Sequence, residues 1–126
     1  MYIFRPCSYD KLQQLIATHY FALQAWKLVD EAYIDGLEIV EDSNGVIIAL
    51  IYYDAHRNEI CEMFIQEFEV CPQYRRHGHG KKIIYQFLSE HPTSAELLPL
   101  DEDSVSFWKA CGFEGDSFGM YYYPEE

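Results

Sequence analysis

The sequence predicts an α/β fold: one domain over residues 1–126, a mixed and mostly antiparallel sheet with helices on both faces. Three observations predict it. Apolar residues recur at helical spacing in two places, a strand–turn–strand pattern centres on Asn44-Gly45, and strand-like and helix-like segments alternate along the whole chain. A chain of 126 residues that is 49% apolar can bury a core without disulfides or metal.

Met1–Pro6 is a short first strand, and Ser8 is a helix N-cap. Leu12, Leu15, Ile16, Tyr20 and Leu23 then form one apolar stripe, so one long helix or two short ones run to about Leu28. Ile39 and Val40, the polar run Glu41–Gly45, and Val46–Tyr53 read as strand, turn and strand. Asp54–Asn58 is a second polar turn and Glu59–Val70 a third strand, which Cys71-Pro72 ends. Gly80–Glu90 is a helix with Ile83, Ile84, Phe87 and Leu88 on one face and Pro92 as its stop. Ala95–Leu100 is a strand, Asp103–Cys111 a short helix, Gly112-Phe113 a turn and Met120–Tyr123 a final strand. The order is β-α-β-β-β-α-β-α-β.

Charge narrows the function. Nine Lys and Arg against 21 Asp and Glu give −12, a surface that repels phosphodiester backbones and attracts cations. Nucleic-acid binding as a general activity is therefore disfavoured, and no nucleic-acid partner is expected, whereas cationic small molecules or basic peptides are favoured. No apolar run reaches the roughly 20 residues of a membrane span, and the start lacks a basic-then-apolar signal region, so the expectation is a cytoplasmic domain with no membrane partner. Cys7, Cys61, Cys71 and Cys111 form no metal-ligand spacing and read as reduced, buried thiols. His77 and His79 flank a glycine with no further ligand pattern nearby, so no metal is expected.

Residues 70–89 hold Arg75, Arg76, Lys81 and Lys82 and none of the 21 acidic residues. This basic island is a Gly-containing turn between a strand and a helix N-terminus, a place where unpaired backbone N–H groups and the positive end of the helix dipole converge. Lys81 and Lys82 stand in the first helical turn, where the dipole disfavours cations unless a polyanion is bound. A P-loop pattern fails at Arg75 and Lys82, and the dinucleotide G-x-G-x-x-G pattern fails at Ile83. What fits is R-x-x-G-x-G, Arg75 to Gly80.

Val70-Cys71-Pro72-Gln73-Tyr74-Arg75-Arg76-His77-Gly78-His79-Gly80 resembles the pyrophosphate loop of the GNAT-type acetyl-CoA-dependent N-acetyltransferases. Downstream, Asp101 to Phe113 resembles that family's N-x-x-A-x-x-F-Y-x-x-x-G-F frame; Phe107, Gly112 and Phe113 match, whereas Asp101, Ser104 and Trp108 depart. The resemblance implies the GNAT-like acyl-CoA acyltransferase fold and a transfer of acetyl from acetyl-CoA, as cosubstrate, to a primary amine. It implies cofactor contacts from Phe68, Glu69, Val70, Arg75, Arg76, His77, Gly78, His79, Gly80, Lys81, Asp101 and Phe107. The strand ending at Val70 would splay from Ala95–Leu100 to admit pantetheine, with the Val70 N–H polarising the thioester carbonyl.

Two carboxylates compete for the role of general base. Along Cys61, Met63, Ile65, Glu67 and Glu69 one strand face turns from apolar to acidic as it nears the loop. Glu96, among the apolar residues Ala95, Leu97 and Leu98, is the first choice as a partly desolvated base; Glu67 is the second and could instead hold the acceptor's charge. The family's usual acid, a tyrosine, is Trp108 here, and an indole cannot supply that proton. Tyr85 and Tyr121-Tyr122-Tyr123 are the substitutes, beside water. The acceptor is a small-molecule amine or a basic peptide, and a homodimer is compatible with this reading. The alternatives are a catalytically degenerate acyl-CoA-binding regulatory module and an interaction protein without cofactor.

Overall fold

The computed structural model describes residues 1–19, 21–31, 35–55 and 62–124. Its elements are β1 (Ile3–Pro6), α1 (Tyr9–His19), β2 (Leu37–Glu41), β3 (Ile47–Ala55), β4 (Met63–Val70), α2 (His79–Glu90), β5 (Ala95–Leu97), α3 (Glu102–Ala110), β6 (Glu114–Asp116) and β7 (Gly119–Tyr122). Among the described residues, seven strands form one sheet in the order β1-β2-β3-β4-β5-β7-β6. β4 and β5, joined through α2, are parallel; β1–β2, β2–β3, β5–β7 and β6–β7 are antiparallel. The α/β class with a mixed, mostly antiparallel sheet is as expected.

The chain divides into two compact units, Met1–Tyr52 with Glu67–Gly80, and Tyr53–Gln66 with Lys81–Glu126. In the first, Ser8 caps α1 by accepting from the Lys11 N–H at 3.1 Å. The helical stripe then buries Leu12 and Leu15 with Cys7, Phe21, Trp26, Leu37, Ile39, Leu50 and Cys71. The helix stops at His19, however, and Gln24–Leu28 is a short 3-10 turn. Tyr20, counted in the stripe, lies outside the described residues. Asp42 closes the β2–β3 turn: its Oδ1 accepts from the Asn44 and Val46 N–H groups at 2.9 and 3.0 Å.

In the second unit, α2 lays Ile83, Ile84, Phe87 and Leu88 inward, and Tyr53 meets the Phe87 ring edge-on at 5.0 Å. Trp108 and Phe113 stack edge-to-face at 5.2 Å, with Tyr122 5.5 Å beyond Phe113. Three expectations need correction here. β5 ends at Leu97, leaving Leu98 and Leu100 65% and 69% exposed, because Pro99 has no N–H for the ladder. The hairpin strand β6 was not expected; all three of its residues are exposed, so it carries no apolar alternation. β3 runs to Ala55, so Asp54 and Ala55 extend the strand rather than opening the expected Asp54–Asn58 turn, and β4 begins at Met63, after Glu62; the rest of that turn, and Cys61, lie outside the described residues.

Candidate active site

β4 carries Glu67, Phe68, Glu69 and Val70 to the start of the basic loop, and α2 begins where the loop ends. Cys71-Pro72 breaks the strand, and Pro72–Tyr74 makes one 3-10 turn. Arg76 and Gly78 both adopt left-handed backbone, at φ +68° and +78°. For an arginine that conformation costs about 1–2 kcal/mol, strain of the kind found at functional loops. Nothing lies within 4 Å of where a Cβ on Gly78 would stand, so this glycine serves the turn and the loop surface is open. Gly80 is different: it is not among the positive-φ glycines and belongs to the first turn of α2.

The loop fits a polyanion. Arg75, Arg76, His77 and Gly78 are exposed, as are Lys81 and Lys82, and the first turn of α2 holds no acidic residue. The twelve-residue helix adds its unpaired N–H groups and dipole. The His79 side chain is engaged within the protein: its Nδ1 is hydrogen-bonded to the Tyr2 hydroxyl at 2.6 Å and its ring meets those of Tyr2 and Tyr74 edge-on. Lys81 Nζ lies 5.5 Å from the centre of the Tyr85 ring, and the Tyr85 hydroxyl donates to the Ala110 carbonyl at 3.0 Å. Tyr85 thus ties α2 to the end of α3.

Glu69 is the residue whose role sequence reasoning missed. Its backbone belongs to the stretch expected beside the cofactor, and its side chain is buried, with only 5% of its surface exposed. Its Oε1 accepts from the Ala22 and Leu23 N–H groups at 3.1 Å each and from the Trp26 indole at 2.7 Å. Its Oε2 accepts from the Ala22 N–H at 3.0 Å and from Arg75 Nη2 at 2.5 Å. Arg75 Nε also donates to the Val70 carbonyl at 3.1 Å, so the first side chain of the motif turns back onto β4. The signal available in advance was slight: a glutamate at every second residue of a strand whose face is otherwise apolar.

Glu67 stands two residues before Glu69 and is half-buried. Burial, and then the Glu69 charge, raise its carboxyl above the usual range. Glu96 sits mid-strand in β5, half-buried between Ala95 and Leu97 and in register with Phe64 of β4. The parallel register pairs Met63 with Ala95 and Phe64 with Glu96, and β4 runs on for six residues beyond it.

The two departures at Asp101 and Ser104 form a reciprocal cap on α3. Asp101 Oδ1 accepts from the Ser104 N–H at 2.8 Å, and Ser104 Oγ accepts from the Asp101 N–H at 3.0 Å. Trp108 is buried, and Phe107 packs edge-on against it at 5.1 Å. The Cys7 and Cys111 thiols are buried and pushed up to about 11, which leaves them protonated near neutrality. Among the described residues no group of three His, Cys, Asp or Glu could hold a metal ion, and no helix is long and apolar enough to cross a membrane.

The acetyltransferase (GNAT) family model matches residues 3–113. No curated protein matches the sequence. Among solved structures, the chain is similar to Ard1 from Thermoplasma volcanium, at 20% identity over 99% of each chain with a TM-score of 0.66. It is similar to a GNAT-family acetyltransferase from Bacillus cereus, at 18% identity over 100% of this chain and 99% of that one, TM-score 0.68. A third similar structure is a spermidine N-acetyltransferase SpeG chimera from Vibrio cholerae and hSSAT, at 16% identity over 97% and 95% of the two chains, TM-score 0.67.

Proposed function

Because this chain belongs to the acetyltransferase (GNAT) family, we propose that it moves acetyl from acetyl-CoA to the primary amine of a cationic small molecule or a basic peptide. The reading takes residues 1–126 as one N-acetyltransferase domain. The observation that carries it is the acid-free basic loop, with Arg76 and Gly78 left-handed, opening onto the N-terminus of α2. The amides from Arg76 to Lys81 would hold the pyrophosphate, and the backbone of Phe68 to Val70 the pantetheine. Acetyl-CoA, when bound, supplies the activated acetyl group. The Val70 N–H is the donor proposed for the thioester carbonyl, where negative charge develops.

An alkylammonium near pKa 10 leaves only about one part in a thousand nucleophilic at neutral pH, so a base matters. Sequence alone ranks Glu96 ahead of Glu67. The raised carboxyl of Glu67 supports the opposite order, with Glu67 taking the proton and Glu96 second. Water is the proton source proposed for the departing thiolate, with Tyr121, Tyr122 and Tyr123 as the side-chain alternatives, since Trp108 is buried in aromatic packing and the Tyr85 hydroxyl donates to the Ala110 carbonyl. A polyamine is the acceptor named by one structural neighbour, the spermidine N-acetyltransferase chimera.

The test is release of free CoA thiol from acetyl-CoA with a panel of polyamines, aminoglycosides and basic peptides. Release with at least one cationic amine is expected. A CoA-induced rise in melting temperature without release from any amine would leave the acyl-CoA-binding module as the function. Gly80→Glu should abolish the CoA-induced rise in a folded protein; an unaltered rise would remove the loop from the binding site.

A further inference from the structure

Glu69 gathers donors from two stretches of chain far apart in sequence. Ala22, Leu23 and Trp26 come from the segment after α1, and Arg75 opens the basic loop. Strand periodicity puts Glu67 and Glu69 on one face of β4, and the segment bonded to Glu69 therefore lies on the Glu67 side of the strand. Trp26 is fully buried in the core that α1, β2 and β3 share, so the segment has an apolar anchor as well as a polar one. One buried carboxylate shares its two oxygens among all these donors, so a shift of the side chain on loss of one donor is felt by the others.

We propose that Glu69 is a positioning residue that locks the Arg75 end of the phosphate loop to the Ala22–Trp26 segment, and so holds the acceptor-side wall beside Glu67 in register with the cofactor loop. The proposal rests on the acetyltransferase reading for its functional half. Its structural half is independent of that reading. Glu69→Gln removes the charge while keeping the size, and in either amide orientation an NH2 group, which cannot accept, replaces one of the two oxygens that take these donors. Arg75→Gln removes the ion pair to Glu69 together with the Nε–H bond to the Val70 carbonyl, at an exposed side chain, and touches none of the three segment donors.

The experiment is hydrogen exchange at the Ala22 and Leu23 amides and the Trp26 indole, in the unliganded protein, with steady-state kinetics in parallel. Both variants should speed exchange at all three sites, Glu69→Gln by about tenfold or more and Arg75→Gln by at least about threefold. Both should raise the KM for the amine and weaken CoA binding, with a smaller change in kcat. Exchange in Arg75→Gln within twofold of the wild type would overturn the coupling, and this variant decides the matter if Glu69→Gln does not fold. Faster exchange with an unchanged amine KM would reduce Glu69 to a purely structural residue and overturn the positioning role. Should the wild type release no thiol with any amine, the acetyltransferase reading fails while the exchange result still judges the lock.

Discussion

Two negative charges, two residues apart on one strand, set the behaviour of Glu67. Its carboxyl is raised by burial first and by Glu69 second. A carboxyl with a raised native pKa binds its proton more tightly folded than unfolded. Its stabilising contribution is therefore full below the unfolded value and lost as pH rises through the native one. Glu67→Gln, uncharged throughout, should melt a few degrees above the wild type at pH 7, and the difference should vanish toward about pH 4. The same change should lower kcat about 100-fold at pH 7, with the loss shrinking at high pH where the amine deprotonates itself. Melting curves and pH–rate profiles check both; loss of kcat in Glu96→Gln but not in Glu67→Gln would move the base to β5.

At the scale of single elements, the loop and α3 make separate predictions. Gly78→Ala meets no neighbour, so its cost is the left-handed backbone alone, about 1–2 kcal/mol in denaturant unfolding, together with weaker CoA binding. Asp101→Ala removes a reciprocal cap and should cost about 1 kcal/mol. If the cap is the whole role of Asp101, CoA affinity in this variant stays within twofold of the wild type; a larger loss measured by titration would place its side chain at the cofactor. Asp101 and Ser104 each depart from the family frame, and the departures explain one another because each side chain answers the other's backbone N–H. The β6–β7 hairpin has its own requirement: a Cβ on Gly115, at φ +133°, would lie 2.2 Å from the Gly119 carbonyl oxygen. No pattern of apolar residues announces that strand, since Glu114-Gly115-Asp116 is exposed along its length.

Over the whole molecule, the charge is divided unevenly. All 21 acidic residues lie outside residues 70–89, with only five of the nine Lys and Arg. A negative field away from the loop concentrates cations and weakens as salt shortens the Debye length from about 30 Å at 0.01 M to about 8 Å at 0.15 M. For a polyamine acceptor, kcat/KM should fall about threefold or more over that range, while a neutral amine of the same length changes little. A best acceptor that is neutral or anionic, or a rate indifferent to salt, would refute the charge argument.

The linear sequence was enough for everything that depends on local pattern. Periodicity placed α1 and α2, Asn44-Gly45 placed the β2–β3 turn, and a basic stretch without acid, in R-x-x-G-x-G spacing, marked the loop. These signals are short-range, since a stripe, a turn and a glycine pair declare themselves within a few residues. Glu69 could be listed among the acidic residues near that loop, but not distinguished from Glu67, because the two share a strand face and differ only in what packs over them. The tertiary structure decided that Glu69 is the buried one, satisfied by backbone and indole donors 43 to 47 residues away and by Arg75. It likewise decided that Glu67, left half-exposed beside that charge, carries the raised carboxyl. The reason is that desolvation and charge proximity are properties of three-dimensional neighbours, and two glutamates two residues apart carry the same chemistry until the chain is folded around them.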